Sequence, residues 1–138
     1  MAARRPPTRT RRLAAATGVS VRNRILAALL AGEYQRLLPR LEHVELKPGQ
    51  VVYRADQDIE AVYFPEEAVV AMVDTTYDER TVEVGIIGRE GIVGINIFLG
   101  GVGTPDRAIV QLPGGAMRMK SSDLRREVRF GSPLQRLL

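Results

Sequence analysis

The chain has 138 residues, no cysteine and a formal net charge of +4, and 45% of its residues are hydrophobic. This length suits one domain with its own core, and the absence of cysteine excludes disulfides, thiolate zinc sites and iron–sulfur clusters. No apolar run reaches the roughly 18 residues that span a bilayer, so the sequence predicts a cytoplasmic protein without a membrane partner.

The positive charge is concentrated at the start of the chain. Residues 1–24 contain seven arginines and no acidic residue, which leaves 13 basic and 16 acidic residues, a charge of −3, for the remainder. Residues 1–20 lack hydrophobic periodicity and contain Pro6-Pro7, which predicts a disordered basic arm. Because the arm has no aromatic side chain to stack on bases, a solvated tail is favoured over a nucleic-acid arm.

Two short amphipathic helices are predicted in residues 21–39. The apolar residues at helical spacing are Ile25, Leu26, Leu29 and Leu30 in the first helix, and Tyr34, Leu37, Leu38 and Leu41 in the second. Gly32 is expected to end the first helix, and Pro39 is expected to end the second.

Residues 40–120 change to short strands separated by turns. The strand patterns are LEHVEL, VVYR, AVYFP, AVVAMVD, TVEVGII, RAIVQLP and AMRMK. Seven or eight closely spaced strands between short helices predict a mainly β fold, as an antiparallel sandwich, barrel or jelly roll. Residues 121–138 are predicted to start C-terminal helices, with Ser121 or Ser122 capping one and Ser132-Pro133 opening another.

Residues 84–101 read VGIIGREGIVGINIFLGG and contain glycines at 85, 88, 91, 94, 100 and 101. The chain has neither a complete dinucleotide-binding fingerprint nor the Gly-Lys-Ser/Thr of a P-loop. GREG matches the loop of a KH domain, but that loop joins two helices and strands flank it here. The remaining interpretation is a turn in which Gly88 and Gly91 have positive φ and Arg89-Glu90 form the exposed tip.

One possible use of this turn is a small phosphate site. Gly94 precedes INIFL, which is predicted to form one helical turn, and a glycine at a helix start leaves N–H donors free for an anion. Arg107 begins the next strand and would supply positive charge. The alternative is that Arg107 pairs with Asp106 or Glu90, because charged residues near strand ends are usually solvated.

The order of these segments resembles the sensory domain of Crp/Fnr-type bacterial transcription regulators. The resemblance covers about residues 22–138 and rests on the helices and on LKPGQVVYRADQD, AVYFP, TVEVGIIGREGIVG and DRAIVQLPG. It implies a cyclic-nucleotide-binding-like β-roll in residues 40–120, within a sensory domain that spans residues 21–138. In such regulators a long dimerisation helix and a DNA-reading helix-turn-helix follow this domain.

The resemblance also implies a ligand pocket formed by Gly94, Ile95, Asn96, Arg107 and Ala108. Gly94 matches the glycine of the family's phosphate-binding cassette, and Arg107-Ala108 match its arginine and small residue. Ile95 stands where the family has a glutamate that accepts from the ribose 2′-hydroxyl. Isoleucine accepts no hydrogen bond, and an unpaired buried hydroxyl costs about 1–3 kcal/mol, so cyclic AMP is expected to bind weakly.

No cofactor or metal is indicated, and we do not expect an enzyme. His43 is the only histidine in the sequence. A metal site built on several histidines is therefore excluded, and any Ser-His-Asp triad would have to use His43. Leu134, Leu137 and Leu138 form a stripe too short to hold a dimer, so dimerisation is expected only where that helix continues.

The predicted function is signal sensing for transcription regulation, with a small effector as partner. DNA binding would then belong to a helix-turn-helix beyond Leu138. The alternative is a stand-alone ligand-binding or protein-interaction module that does not bind DNA.

Overall fold

The computed structural model describes residues 21–76, 78–95, 106–128 and 132–137. The predicted basic arm, Asn96 and Leu138 lie outside the described residues. Within them, no helix has the length and apolar character needed to cross a membrane.

Within the described residues, seven strands form two antiparallel sheets. The strands are β1 (Leu41–Leu46), β2 (Val51–Tyr53), β3 (Ala61–Pro65), β4 (Val69–Thr75), β5 (Thr81–Ile87), β6 (Arg107–Leu112) and β7 (Gly114–Lys120). One sheet has the order β1-β7-β3, and the other has the order β2-β6-β4-β5. Every pair is antiparallel, so the mainly β, jelly-roll architecture predicted from the strand pattern is confirmed.

Short helices flank the sheets at both ends of the described chain. They are α1 (Arg24–Ala27), α2 (Ala31–Leu37), a 3₁₀ turn (Leu38–Arg40), α3 (Ser121–Glu127) and α4 (Pro133–Leu137). The Ser132 Oγ accepts a hydrogen bond from the Gln135 N–H at 3.2 Å, which confirms the predicted start of α4.

Two predicted helix boundaries are wrong. Gly32 lies inside α2 and does not end the first helix, because the Glu33 carboxylate accepts the Leu30 N–H at 3.1 Å and starts α2 before the glycine. Ser121 is the first residue of α3, but its hydroxyl does not cap that helix. The hydroxyl instead donates to the Ile59 carbonyl oxygen at 2.5 Å.

The buried residues form two clusters on opposite faces of the three-stranded sheet. The helical cluster comprises Val21, Leu26, Ala27, Leu29, Tyr34, Leu37, Val62, Phe64, Ile92, Met119, Leu124 and Leu134. The roll interior, between the two sheets, comprises Leu46, Tyr53, Ile59, Ala68, Val70, Met72, Val93, Ala108, Val110 and Ala116. Ile92 belongs to one cluster and Val93 to the other, so the segment after the glycine-rich turn passes between them.

Candidate ligand-binding site

The GREG turn follows β5 and is closed by hydrogen bonds within itself. The Gly88 N–H donates to Glu90 Oε1 at 3.0 Å, and the Gly91 N–H donates to the Gly88 carbonyl oxygen at 3.1 Å. Arg89 and Glu90 are exposed, as the sequence predicts. The prediction of positive φ at Gly88 and Gly91 is wrong, because these bonds close the turn with ordinary backbone angles.

The Glu90 carboxylate is directed at its own turn. Hydrogen bonds from the backbone N–H groups of Glu90 and Gly88 hold the pKa of this carboxyl below its ordinary value, and the charges of Arg24 and Arg89 act in the same direction. This carboxylate therefore stabilises the turn in its ionised form.

The backbone conformation at Gly94 favours glycine. Just before it, Val93 and Tyr63 exchange two backbone hydrogen bonds, at 3.0 and 2.8 Å. Gly94 has a φ of +99°, and a Cβ there would lie 3.2 Å from both the Ile59 and the Val62 side chains. The positive φ and the close approach to β3 together favour glycine.

Ile95 turns away from the space between the sheets. Its partly buried side chain packs against the helical cluster. It therefore contributes an apolar contact to the helices, and this side chain offers no acceptor for a ribose hydroxyl.

Arg107 and Ala108 are the first two residues of β6, and their side chains point to opposite faces of the sheet. Ala108 is fully buried in the roll interior, opposite Tyr53 on β2 and Met72 on β4. Arg107 is opposite Val73, and neighbouring residues of a strand point to opposite faces. The Arg107 Nε is buried and has no hydrogen-bond partner in the described part of the chain. Because Ala108 faces the roll interior, Arg107 lies on the outer face of this sheet and is not brought together with Ala108 in one pocket.

A cavity of about 310 Å³ lies between the two sheets. Its walls are β2, the loop from residue 54 to 60, the start of β3 and Arg118 of β7. The lining includes Ile59 and Ala61, which a Cβ at Gly94 would approach within 3.2 and 3.4 Å, and Tyr53, which is paired with Ala108. Gly94 and Ala108 therefore each lie next to residues that line the same cavity, although neither lines it.

Sequence reasoning missed Arg118, which lines this cavity. Its side chain is 29% exposed, and its Nη1 lies 3.7 Å from the Glu42 Oε2. Met117 and Met119 on either side of it pack in the helical cluster, so strand alternation directs Arg118 toward the other face. The Met-Arg-Met alternation in the sequence is the signal that could have identified it.

Other charged groups lie at the mouth of the cavity. Arg54, Asp58 and Glu60 line it and are exposed. Both signs of charge are therefore present, with Arg118 as the half-buried cation.

No group of three or more metal-ligating side chains occurs in the parts of the chain that the structure describes. The exposed His43 has its Nε2 3.5 Å from the Glu66 Oε1 and 3.9 Å from the Glu45 Oε1. These contacts are those of a surface histidine beside carboxylates.

Several solved structures are similar to this fold. The N-terminal domain of a transcriptional regulator from Streptomyces coelicolor A3(2) has 17% identity and a TM-score of 0.66, with 86% of this chain and 83% of that chain covered. The sensor domain of the transcriptional regulator DNR from Pseudomonas aeruginosa has 18% identity and a TM-score of 0.67, over 80% and 75% of the two chains.

A third similar structure belongs to a kinase. It is the regulatory subunit of a cAMP-independent protein kinase A from Trypanosoma cruzi, bound to guanosine, with 16% identity and a TM-score of 0.65. The comparison covers 94% of this chain and 50% of that subunit. Sequence identities of 16–18% with these three structures show a shared fold alone.

Sequence comparison identifies the family. No curated protein matches the chain significantly. Residues 43–129, more than half of the chain, match the family model of the cyclic nucleotide-binding domain. The two-sheet roll, the glycine turn and the cavity between the sheets all fall within this matched region, and the chain belongs to the cyclic nucleotide-binding domain family.

Proposed function

We propose that this chain is the effector-binding domain of a Crp/Fnr-type transcription regulator and that its effector occupies the cavity between the two sheets. The observation that carries the proposal is the cavity itself. Two positions that match the family's phosphate-binding cassette lie next to lining residues: Gly94, in the turn after Val93, beside Ile59, and Ala108, on β6, opposite Tyr53.

The effector is a small anion. A volume of about 310 Å³ is at the lower end of ligand pockets, which run from about 300 to 1,000 Å³. Arg118 supplies a half-buried guanidinium in the cavity, and a carboxylate or phosphate is the natural partner of such a group. Arg107 does not line this cavity, because the neighbouring Ala108 faces the roll interior and Arg107 therefore faces the other way.

Cyclic AMP fits this site poorly. The side chain of Ile95 packs on the helices and offers no acceptor, so a ribose hydroxyl would lose its hydrogen bond. The similar kinase subunit bound to guanosine supports the idea that a roll of this kind accepts ligands other than cyclic AMP.

Titration of the protein with inorganic phosphate and with cyclic AMP tests the ligand class. We expect phosphate to shift the amide resonances of Tyr53 and Ala108, and we expect Arg118→Ala to weaken this binding at least fivefold. Arg125→Ala removes an exposed arginine of α3 and should leave it unchanged. Phosphate binding that survives Arg118→Ala would refute the proposed site, and a low-micromolar Kd for cyclic AMP would refute the ligand class.

The regulator role is tested in the cell. Chromatin immunoprecipitation of the protein that carries this domain should enrich promoter DNA. If no DNA is enriched, the stand-alone ligand or interaction module is the better interpretation.

A further inference from the structure

Asn23 is a buried polar side chain that joins three parts of the fold. It is 1% exposed and precedes α1. Its Oδ1 accepts from the N–H groups of Ile25 and Leu26, at 3.0 and 3.3 Å. Its Nδ2 donates to the carbonyl oxygens of Pro65 and Gly91, both at 2.9 Å.

The neighbouring residue holds the same turn. The Arg24 N–H donates to the Arg89 carbonyl oxygen at 2.7 Å. The start of α1 therefore donates hydrogen bonds to two carbonyl oxygens of the GREG turn, those of Arg89 and Gly91, which lie two residues apart. Gly91 is three residues before Gly94, the residue that packs on β3 beside the cavity.

A helix cap alone does not explain an asparagine here. Serine, threonine and aspartate cap helices about as well, because a cap needs only an acceptor. The side-chain amide adds two donors, and both are used on buried or half-buried carbonyl oxygens. A substitution that keeps the acceptor and removes the donors separates the two roles.

We infer that Asn23 is a positioning residue that fixes the GREG turn against α1 and so sets the course of the chain from Gly91 to Gly94, which lies next to two residues of the cavity lining. The fixing of the turn stands on the hydrogen bonds alone. The consequence for ligand binding rests on the function proposed above.

Amide hydrogen exchange of the 138-residue protein tests the fixing of the turn. Asn23→Ser keeps the capping oxygen and removes both donors, and Asn23→Asp does the same with an unchanged side-chain volume. We expect the amides of Arg24, Gly91 and Val93 to exchange about tenfold faster, since an unsatisfied buried group costs about 1–3 kcal/mol. Amides of the β1–β7 pair should stay within about twofold, because local opening leaves the rest of the fold closed.

Arg22→Ala is the matched control. It breaks the exposed ion pair between Arg22 Nη1 and Glu67 Oε1, at 2.7 Å, which also joins the α1 segment to the β3–β4 turn. This variant should leave the exchange of all three amides unchanged. If either Asn23 variant speeds exchange uniformly across the fold, or changes nothing, Asn23 is only a cap and the inference fails.

Phosphate titration of the same variants tests the consequence for the site. We expect Asn23→Ser to weaken phosphate binding at least fivefold, measured at the Ala108 amide, and Arg22→Ala to leave it unchanged. Unchanged binding in Asn23→Ser would overturn the link between turn and site. If wild-type protein binds no phosphate, the proposed function fails, and the exchange experiment still decides the role of Asn23 in the turn.

Discussion

Ser121 shows how one hydroxyl can join a helix to the cavity wall. Its Oγ donates to the Ile59 carbonyl oxygen at 2.5 Å, and its backbone N–H donates to the Glu60 carbonyl oxygen at 2.8 Å. Both acceptors belong to residues that line the cavity. The start of α3 therefore holds the end of the β2–β3 loop in place.

Ser121→Ala should lower the free energy of unfolding by about 1–3 kcal/mol, because the Ile59 carbonyl loses its buried partner. Urea denaturation measures the change. Ser122→Ala, at the adjacent exposed position, should stay within about 0.5 kcal/mol of wild type. Equal effects in the two variants would show that the hydroxyl bond contributes nothing.

The stability of the GREG turn depends on the ionisation of Glu90. Its pKa is lowered chiefly by backbone hydrogen bonds, so its contribution is complete above the ordinary carboxyl pKa and is lost as the pH falls through the lowered value. We expect the Gly88 amide to exchange faster, relative to its intrinsic rate, as the pH is reduced through this range. In Glu90→Gln this dependence should be absent. A wild-type profile identical to that of the glutamine variant would contradict the assignment.

At the scale of elements, α4 docks through one leucine. Leu134 is 3% exposed in the helical cluster, whereas Leu137 is 38% exposed. The sequence places both on one apolar stripe, and only packing distinguishes them.

Leu134→Ala should reduce the free energy of unfolding by about 2–3 kcal/mol, because a buried leucine leaves a cavity when truncated. Leu137→Ala should cost less than about 0.5 kcal/mol. Urea denaturation compares the two variants. A similar loss in both would mean that α4 packs on a different face.

The strand β5 lies at the edge of its sheet and exposes apolar side chains. Val82, Val84 and Ile86 are 44%, 57% and 53% exposed, while Ile87 packs against the roll interior. Alternation in TVEVGII predicts two faces, but it does not say which one is buried. Gly85 pairs with Met72, and a register shift between Met72 and Val73 interrupts the pairing with β4.

Val84→Lys should reduce self-association of the protein at high concentration, because a lysine on an edge strand discourages pairing with a second copy. Stability should change by no more than about 0.5 kcal/mol, since the side chain is already exposed. Light scattering and urea denaturation measure the two effects. Increased association in the lysine variant would contradict this account of the edge.

For the whole molecule, the concentration of positive charge in the first 24 residues predicts how the protein binds nucleic acid. The arginines of residues 1–20 can neutralise phosphates, but such contacts carry no base information. We expect weak DNA binding that is independent of sequence and falls steeply between 50 and 200 mM salt, and we expect deletion of residues 1–20 to abolish it. Titration of two unrelated duplexes measures both effects. Sequence-specific binding that persists at high salt would contradict this view.

Local sequence patterns were enough to predict seven or eight short strands, the start of α4 and the resemblance to a cyclic-nucleotide-binding-like roll. These features are local. Strand alternation and the Ser132-Pro133 helix start depend on a few neighbouring positions, so they can be recognised without knowing the fold.

Tertiary structure decided the cavity, the direction of Ile95 and the roles of Asn23 and Arg118. The Asn23 side chain donates hydrogen bonds to Pro65 and Gly91, which are 42 and 68 residues away in the sequence. Arg118 lies beside Glu42 because β7 pairs with β1. Contacts over such separations depend on which faces the sheets and helices bury against each other, and the sequence of a single segment carries no record of its partner. The site therefore exists only once both sheets are folded.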